Sequence, residues 1–441
     1  MLLTPFGVGV LLVLLGEGAA LGANELRIHN GKEFIDFSNN VNSGTSYSGI
    51  TVYLDSDIVF DSFLSQQFQP IGEESNHFSG TFDGQGHTVR SLTLNSSSSE
   101  YVGLFGYSSG ATIKNVVLDA SCSIVSSVNS GQNSVEMGSI SGRCKSCVIE
   151  RAVNMVTVSF AGTTESYLFI GGLVGRLVFS STIQNCVNYG LVEQTGRVSG
   201  EYCDIGGIVG SCEGYFTKSI QNTANYGTIT HSGTSNNLYV GGIFGDSIGE
   251  TIVENCISAG NIENAMQATK NNYIGAIEGL INFDSKTNII HSFWTIDVGC
   301  STVYGHKSPS AQNVSIISSY AVPLNAATVD KMNRHTEENG MWDKWFILHL
   351  NGGRVNNLNQ ETLIVTQKHF PYPAKEGSTF SFWSFDSGCS GNYDSEAVGI
   401  TEITGLYACW DVSLIAFELA NLTTSDRTLN FNGTALYPGN A

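Results

Sequence analysis

The sequence predicts an all-β chain whose middle is a parallel β-helix, and three observations predict it. One short pattern returns six times: Tyr101-Val-Gly-Leu-Phe-Gly106, Met137-Gly-Ser-Ile-Ser-Gly142, Ile170-Gly-Gly-Leu-Val-Gly175, Ile205-Gly-Gly-Ile-Val-Gly210, Val240-Gly-Gly-Ile-Phe-Gly245 and Ile274-Gly-Ala-Ile-Glu-Gly279. The closing glycines Gly106, Gly142, Gly175, Gly210, Gly245 and Gly279 are separated by 36, 33, 35, 35 and 34 residues. A second block follows in phase, clearest at Asn185-Cys-Val-Asn-Tyr-Gly190, Asn222-Thr-Ala-Asn-Tyr-Gly227 and Asn255-Cys-Ile-Ser-Ala-Gly260, with weaker copies at Asn115, Arg151 and His291. No piece carries a sustained helical period. Short strand-like pieces at a fixed period are the signature of stacked coils, because one repeat cannot bury its apolar face alone.

Within the first block, one column holds Leu104, Ile140, Leu173, Ile208, Ile243 and Ile277. An aliphatic side chain in every copy predicts an inward ladder. The next column holds Phe105, Ser141, Val174, Val209, Phe244 and Glu278 and accepts polar residues. Alternation along a strand therefore predicts that this column is the more exposed. The invariant closing glycine predicts a turn with positive φ. The Asn that opens the second block predicts a hydrogen-bonded ladder between coils. With strands about 4.8 Å apart, six coils predict a rod roughly 30 Å long.

Composition narrows the function. Lys+Arg number 20 against 39 Asp+Glu, a formal charge of -19. This excludes nonspecific binding to nucleic acid or anionic membranes, which needs clustered positive charge. Fifty Gly against seven Pro indicates many tight turns without proline-rich linkers. Residues 1–23 combine the apolar run Val8–Leu15 with small residues at Gly18–Ala23, the layout of a secretory signal peptide, although a basic start is missing. An uncleaved anchor or a buried strand is the alternative. No transmembrane segment is expected beyond it. Four sequons, at Asn95, Asn313, Asn421 and Asn432, are candidate glycosylation sites in a eukaryotic secretory route.

No catalytic constellation is legible. The best carboxylate set is Asp55, Asp57, Asp61 and Asp83, which reads as a solvated capping strand and an Asp-Gly turn. Cys144-Lys-Ser-Cys147 is a lone C-x-x-C without the second ligand pair that structural zinc requires. No metal and no cofactor are expected. Cys186 and Cys256 share a repeat column two coils apart, too far to bridge, and read as small buried residues.

Polar inserts at 162–166, 194–200, 231–237 and 264–272 predict a row of loops on one side of the coils. Tyr167, Tyr202, Tyr239 and Tyr273, just before the glycine blocks, are the candidate binding residues, either as a stacking platform for glycans or as a packed ladder.

Phe78-Ser-Gly-Thr-Phe-Asp-Gly-Gln-Gly-His-Thr-Val89, followed by the G-G-[LI]-[VF]-G copies, resembles the GLUG-repeat proteins over roughly residues 26 to 300. The copies at Ser139/Ser141 and Ala276/Glu278 depart from the motif. The resemblance implies a right-handed parallel β-helix of the pectin-lyase type in a secreted or surface-exposed, adhesin-like protein. Farther on, Gly352-Gly-Arg354, Phe370-Pro-Tyr-Pro373, Phe380-Ser-Phe-Trp383 and Ile403-Thr-Gly-Leu-Tyr-Ala-Cys-Trp410 resemble the Listeria–Bacteroides repeat, a small β-grasp-like module of surface proteins. Within that module, Cys389 and Cys409 are the candidate disulfide, a staple for a small core.

The expected organisation is a signal peptide (1–23), a solenoid cap (24–75), the GLUG-type β-helix (76–325), a linker with a short helix (326–350), the small module (351–412) and a strand-like tail (413–441). The expected function is a non-enzymatic, secreted or cell-surface adhesin-like protein with an extracellular protein or glycan ligand and no nucleic-acid partner. A polysaccharide lyase or hydrolase on the same fold, or a structural stalk, remain alternatives.

Overall fold

The computed structural model describes residues 24–412, apart from 132, 264–267, 312–313, 340–342, 357, 359, 367–372, 376–377, 385–386 and 390–404. The expected signal peptide, the tail, Asn313, Asn421 and Asn432 lie outside the described residues.

The chain forms a parallel β-solenoid of about seven turns followed by a small strand-built C-terminal domain. One turn shows the logic. Leu168–Gly171 is followed by Val174–Val178, Thr182–Gln184, Val187–Asn188, Val192–Gln194 and Arg197–Val198, and Tyr202–Gly206 begins the next coil. Each piece pairs in parallel with its counterpart one coil on: Ile170 with Ile205, Val174 with Val209, Ile183 with Ile220, Val192 with Ile229. The result is a set of long parallel sheets. Sheet I has ten strands, from Glu25–Ile28 to Ser315–Ile317, and sheet II has eight, from Ile58–Val59 to Phe293–Trp294. Sheet III has six, from Thr93–Ser96 to Ile262–Glu263, and sheet IV six, from Tyr101–Val102 to Ala268–Gly275. Sheet V has seven, from Phe105–Ser109 to Tyr304–Lys307.

The open N-terminal end is closed by helix α1 (Gly31–Asn42). Asn30 caps it by accepting from Glu33 N at 3.0 Å, and Glu33 answers by accepting from His29 N at 2.8 Å. Phe34 and Phe37 then seat edge-on against Phe60, Phe78 and Phe82, sealing the last coil face from water.

The Leu104-to-Ile277 column is buried in every copy, within one core that runs the length of the solenoid. The neighbouring Phe105-to-Glu278 column is buried too, against the expectation of exposure. Alternation fails because a corner falls between the two columns. Leu173 N and Val174 N both donate to Ile208 O, and the same shared acceptor recurs at Ile243 O and Ile277 O. Two successive side chains therefore turn inward.

The closing glycines also differ from expectation: none of the six has positive φ. A Cβ on any of them would lie 2.3–2.7 Å from a backbone atom, at Gly210 from Gly175 O and Ile170 N of the preceding coil. They are glycines because sheets IV and V close so tightly at this corner that no side chain fits. The positive φ falls instead on Asn115, Arg151, Asn185, Asn222, Asn255 and His291, between sheets I and II. Asn tolerates that conformation better than most residues. The ladder is present there: Asn222 Nδ2 donates to Asn185 Oδ1 at 2.7 Å, and Asn255 Nδ2 to Asn222 Oδ1 at 2.8 Å.

The polar inserts at 162–166, 194–200 and 231–237 are not projecting loops. Asn129–Ser130, Thr163–Thr164 and Arg197–Val198 pair as a further parallel sheet, continued by a bridge from Arg197 to Thr234, and Gln194 and His231 are buried beneath it. Backbone groups in this stretch are satisfied by the next coil rather than by solvent.

The C-terminal domain is a four-stranded sheet in the order Thr362–Thr366, Trp345–His349, Gly405–Val412, Ser378–Ser384, with its central pair parallel. Helix α2 (Ala326–Asn339) packs beside it. Both lie on the flank of sheet II, where Trp345, Leu363 and Val365 share a core with Val187, Tyr189, Tyr226, Ile257 and Phe293. Polar ties fix the contact: Arg151 to Asp343 at 2.6 Å, Asn255 to Thr336 at 2.9 Å, and Asn356 to Met155 O at 3.1 Å.

Candidate functional site

The predicted tyrosines come together, but not in one register. Tyr202 lies opposite Asn237, whereas Tyr239 lies opposite Asp204, two residues farther along the strand. Both positions point outward from sheet IV, so the rings still meet. Tyr167–Tyr202, Tyr202–Tyr239 and Tyr239–Tyr273 centroids are 5.3, 5.8 and 5.5 Å apart, and His306 ends the stack 4.4 Å from Tyr273. Tyr167–Tyr202 and Tyr239–Tyr273 are stacked, at 17° and 7° between ring planes, whereas Tyr202 and Tyr239 are tilted by 35°. Burial pushes the Tyr202 phenol up to about 12 and raises that of Tyr239 further.

Beside this ladder is a feature missed in the sequence. The outer face of sheet IV carries Tyr101, Glu136, Phe169, Asp204, Tyr239 and Tyr273 in register. The outer face of sheet V carries Tyr107, Arg143, Arg176, Ser211, Asp246 and Leu280. These two faces touch across the glycine corner, so the angle between them is re-entrant. Arg143 Nε donates to Glu136 Oε2 at 2.6 Å while its guanidinium lies 5.1 Å from the Tyr101 ring. Arg176 lies over Phe169 at 4.9 Å and pairs with Glu136 and Glu213.

Two carboxyls in the corner have no such partner. Asp204 is 1% exposed and Asp246 4%. Oδ1 of each accepts no hydrogen bond from the described residues; Asn282 Nδ2 reaches Asp246 Oδ2 at 3.3 Å. Burial holds both carboxyls well above the usual carboxylate range, and for Asp204 the neighbouring Asp246 adds to the shift. The available signal was one acid just before a glycine block, Asp204 ahead of residues 205–210, and one just after the next, Asp246 behind residues 240–245.

Open aromatic faces occur elsewhere. The turns from sheet V to sheet I carry Phe179, Tyr215, Phe216 and Phe283, which are 37%, 95%, 57% and 53% exposed. Phe179 and Phe216 rings lie 5.8 Å apart on successive coils, with Lys145 Nζ 5.3 Å from the Phe179 ring. Two successive turns, at Phe179 and at Tyr215-Phe216, thus form a partly apolar ridge, with Phe283 in the turn two coils farther on. Phe179 and Phe283 lie four residues beyond a closing glycine but Phe216 six, so the glycine blocks do not bring these rings into one column.

The four N-terminal carboxylates are structural. Asp61 caps a short helix by accepting from Leu64 N at 2.7 Å. Asp55 pairs with Arg27 at 2.8 Å, and Asp57 with Arg90 at 3.3 Å. Burial alone would raise Asp83, but donors from Asn115 and Gln85 and the Lys114 charge outweigh it and hold the group below its ordinary value. Asn95 is exposed on sheet III, at the rim of a polar hollow formed with Ser62, Gln66, Gln69 and Ser98.

Cys389 and Cys409 are bonded as expected, while Cys144, Cys147, Cys186 and Cys256 are free and buried. Among the described residues no group of three or more His, Cys, Asp or Glu is assembled to hold a metal ion, and no helix is long and apolar enough to cross a membrane.

No protein-family model matches the chain, and no curated protein matches it. Among solved structures it is similar to the crystal structure of a candidate immunoglobulin A1 protease from Bacteroides ovatus. The match has 18% identity and a TM-score of 0.45, and covers 70% of this chain and 87% of that one.

Proposed function

We propose that this chain is a secreted or cell-surface, non-enzymatic, adhesin-like protein that binds glycans along its exposed aromatic turns. The observation that supports this reading is the ridge of Phe179, Tyr215, Phe216 and Phe283. Rings more than half exposed, such as Tyr215 and Phe216, offer the flat apolar faces on which the C–H faces of sugars pack. A large exposed apolar patch on a folded protein marks an interaction surface. A solenoid suits the task because stacked coils set the rings of successive turns, Phe179 and Phe216, 5.8 Å apart along one edge, where a linear ligand can meet more than one of them. The Tyr167–Tyr273 ladder then stiffens the rod beside the binding edge.

Glycan-array binding of the purified protein tests this, with Tyr215→Ala/Phe216→Ala as the decisive variant. Binding that falls at least tenfold with an unchanged melting temperature supports the reading. Full binding by that variant, or no glycan bound by the native protein, removes it.

A polysaccharide-cleaving enzyme is the second reading, favoured by the Asp204 and Asp246 pair. Such chemistry ordinarily divides two carboxyls between an acid and an ionised partner. Here burial pushes both in the same direction. Release of reducing ends from polysaccharides by the native protein, absent in Asp246→Asn, would establish this reading instead.

A further inference from the structure

The re-entrant corner between sheets IV and V carries an uneven set of charges. Four carboxyl groups, Glu136, Asp204, Glu213 and Asp246, face two guanidiniums, Arg143 and Arg176. Glu136 takes both arginines and Glu213 takes Arg176, whose Nε keeps no hydrogen-bond partner among the described residues. One and two coils on, Asp204 and Asp246 occupy the same two outward columns with Ser211 and Tyr239 as their register partners. The arrangement that holds an arginine against an acid in the earlier coils therefore continues without the arginine. Each acid keeps an oxygen that accepts nothing from the described residues, although each is more than nine-tenths buried. Buried polar groups in native proteins nearly always have partners. Tyr239 is the register partner of Asp204, and Tyr202 lies two residues before Asp204 on the same strand, so phenol rings border the pair.

We propose that Asp204 and Asp246 form a receptor for one organic cation, an ammonium or guanidinium group presented by a partner, which takes the place that Arg143 and Arg176 fill in the preceding coils. This site is independent of the aromatic ridge. Binding is linked to protons. The pair carries at least one carboxylic O–H when free, and on cation binding that bond breaks, its proton passes to buffer and the carboxylate pairs with the ligand. The other titratable groups that act on or feel the pair are Glu213, Arg176, Tyr202, Tyr239 and Glu278, with Tyr273 and His306 farther along the stack. A -19 chain favours a cationic partner from a distance as well.

The experiment is calorimetric titration of the full chain with methylguanidinium and with n-butylammonium, using sodium at equal ionic strength as control. It is run at pH 6 and pH 8, in buffers of differing ionisation enthalpy. The expected result is saturable binding of at least one organic cation, tighter at pH 8, with proton release, and a tenfold or greater loss in Asp204→Asn/Asp246→Asn. Preference between the two probes separates a lysine-like from an arginine-like source. Absence of binding overturns the proposal. So does binding that the double variant retains, or binding without proton release in the native protein. The last readout needs no variant and stands if the substituted chain fails to fold. Glycan binding is measured on the same samples, so loss of the ridge reading and loss of this one are told apart.

Discussion

The side-chain amide of Asn188 donates to Oδ1 of Asn225 across 2.9 Å, one coil to the next, inside the wall of the solenoid. Asn154 donates to Asn188 in the same way at 2.7 Å, and Asn188 Nδ2 also reaches Gly190 O and Gly207 O. Each amide thus ties two coils and the corner glycines together. Asn188→Ala takes this donor from those two carbonyls and this acceptor from Gly190 N, while the Asn154 amide keeps Val156 O and Gly172 O. The expected cost is about 3 kcal/mol, from two or three orphaned groups at about 1–3 kcal/mol each. Urea unfolding measures it, and a loss below about 1 kcal/mol would show the ladder to be incidental.

Gly175 and Gly110 separate two reasons for glycine. Gly175 has ordinary φ but would place a Cβ 2.3 Å from Met137 N, whereas Gly110 has φ of +65° with nothing within 4 Å of a Cβ. Gly175→Ala must force sheets IV and V apart and is expected to cost more than about 3 kcal/mol or to prevent folding. Gly110→Ala meets only backbone strain of about 1–2 kcal/mol. Melting temperatures of the two variants should differ widely in that order.

The acid pair makes stability depend on pH in a direction opposite to that of a salt-bridged carboxylate. Both carboxyls are raised in the folded state. Above the ordinary carboxyl value of about 4, the unfolded chain has lost protons that the folded chain still holds, so stability falls as pH climbs through that window toward the raised values. Asp204→Asn removes one contributor. Its melting temperature relative to the native protein should therefore rise from pH 4 to pH 8. A difference that is flat or falling over that range would mean that the pair is ionised and paired in solution.

Tyr226 ties the C-terminal domain to the solenoid. Its hydroxyl donates to Ile364 O at 2.8 Å and accepts from Ile364 N at 2.5 Å, with both residues buried. Tyr226→Phe leaves two backbone groups of a sheet unsatisfied at the junction and is expected to weaken docking by about 2 kcal/mol. Faster limited proteolysis within 326–366, with the solenoid fragment surviving, is the expected signature. Unchanged cleavage would show that the apolar contacts around Trp345 suffice alone.

Much of the scaffold was legible in the sequence. The in-phase glycine blocks located sheets IV and V, the aliphatic column located the core, and the recurring Asn located a ladder. The Cys389–Cys409 bond was legible as the staple of a small domain. The candidate site was less so. The tyrosines at 167, 202, 239 and 273 were visible as a group, but their two registers and face-to-face stacking were not. Asp204 and Asp246, 42 positions apart, looked like unrelated polar residues. The exposure of Tyr215 and Phe216 depends on a turn that the repeat pattern leaves open.

The sequence by itself determined that coils stack and which side chains fill their interior, because period and alternation are local properties of a strand repeated at a fixed interval. Only the tertiary structure decided what the outside does. The tight corner at each glycine block sets the angle between sheets IV and V, and that angle turns two outward faces toward one another. There it buries two acids side by side, while one turn farther along it leaves four aromatic rings in water. No linear spacing encodes that angle, since it arises from backbone packing between coils rather than from any one coil alone.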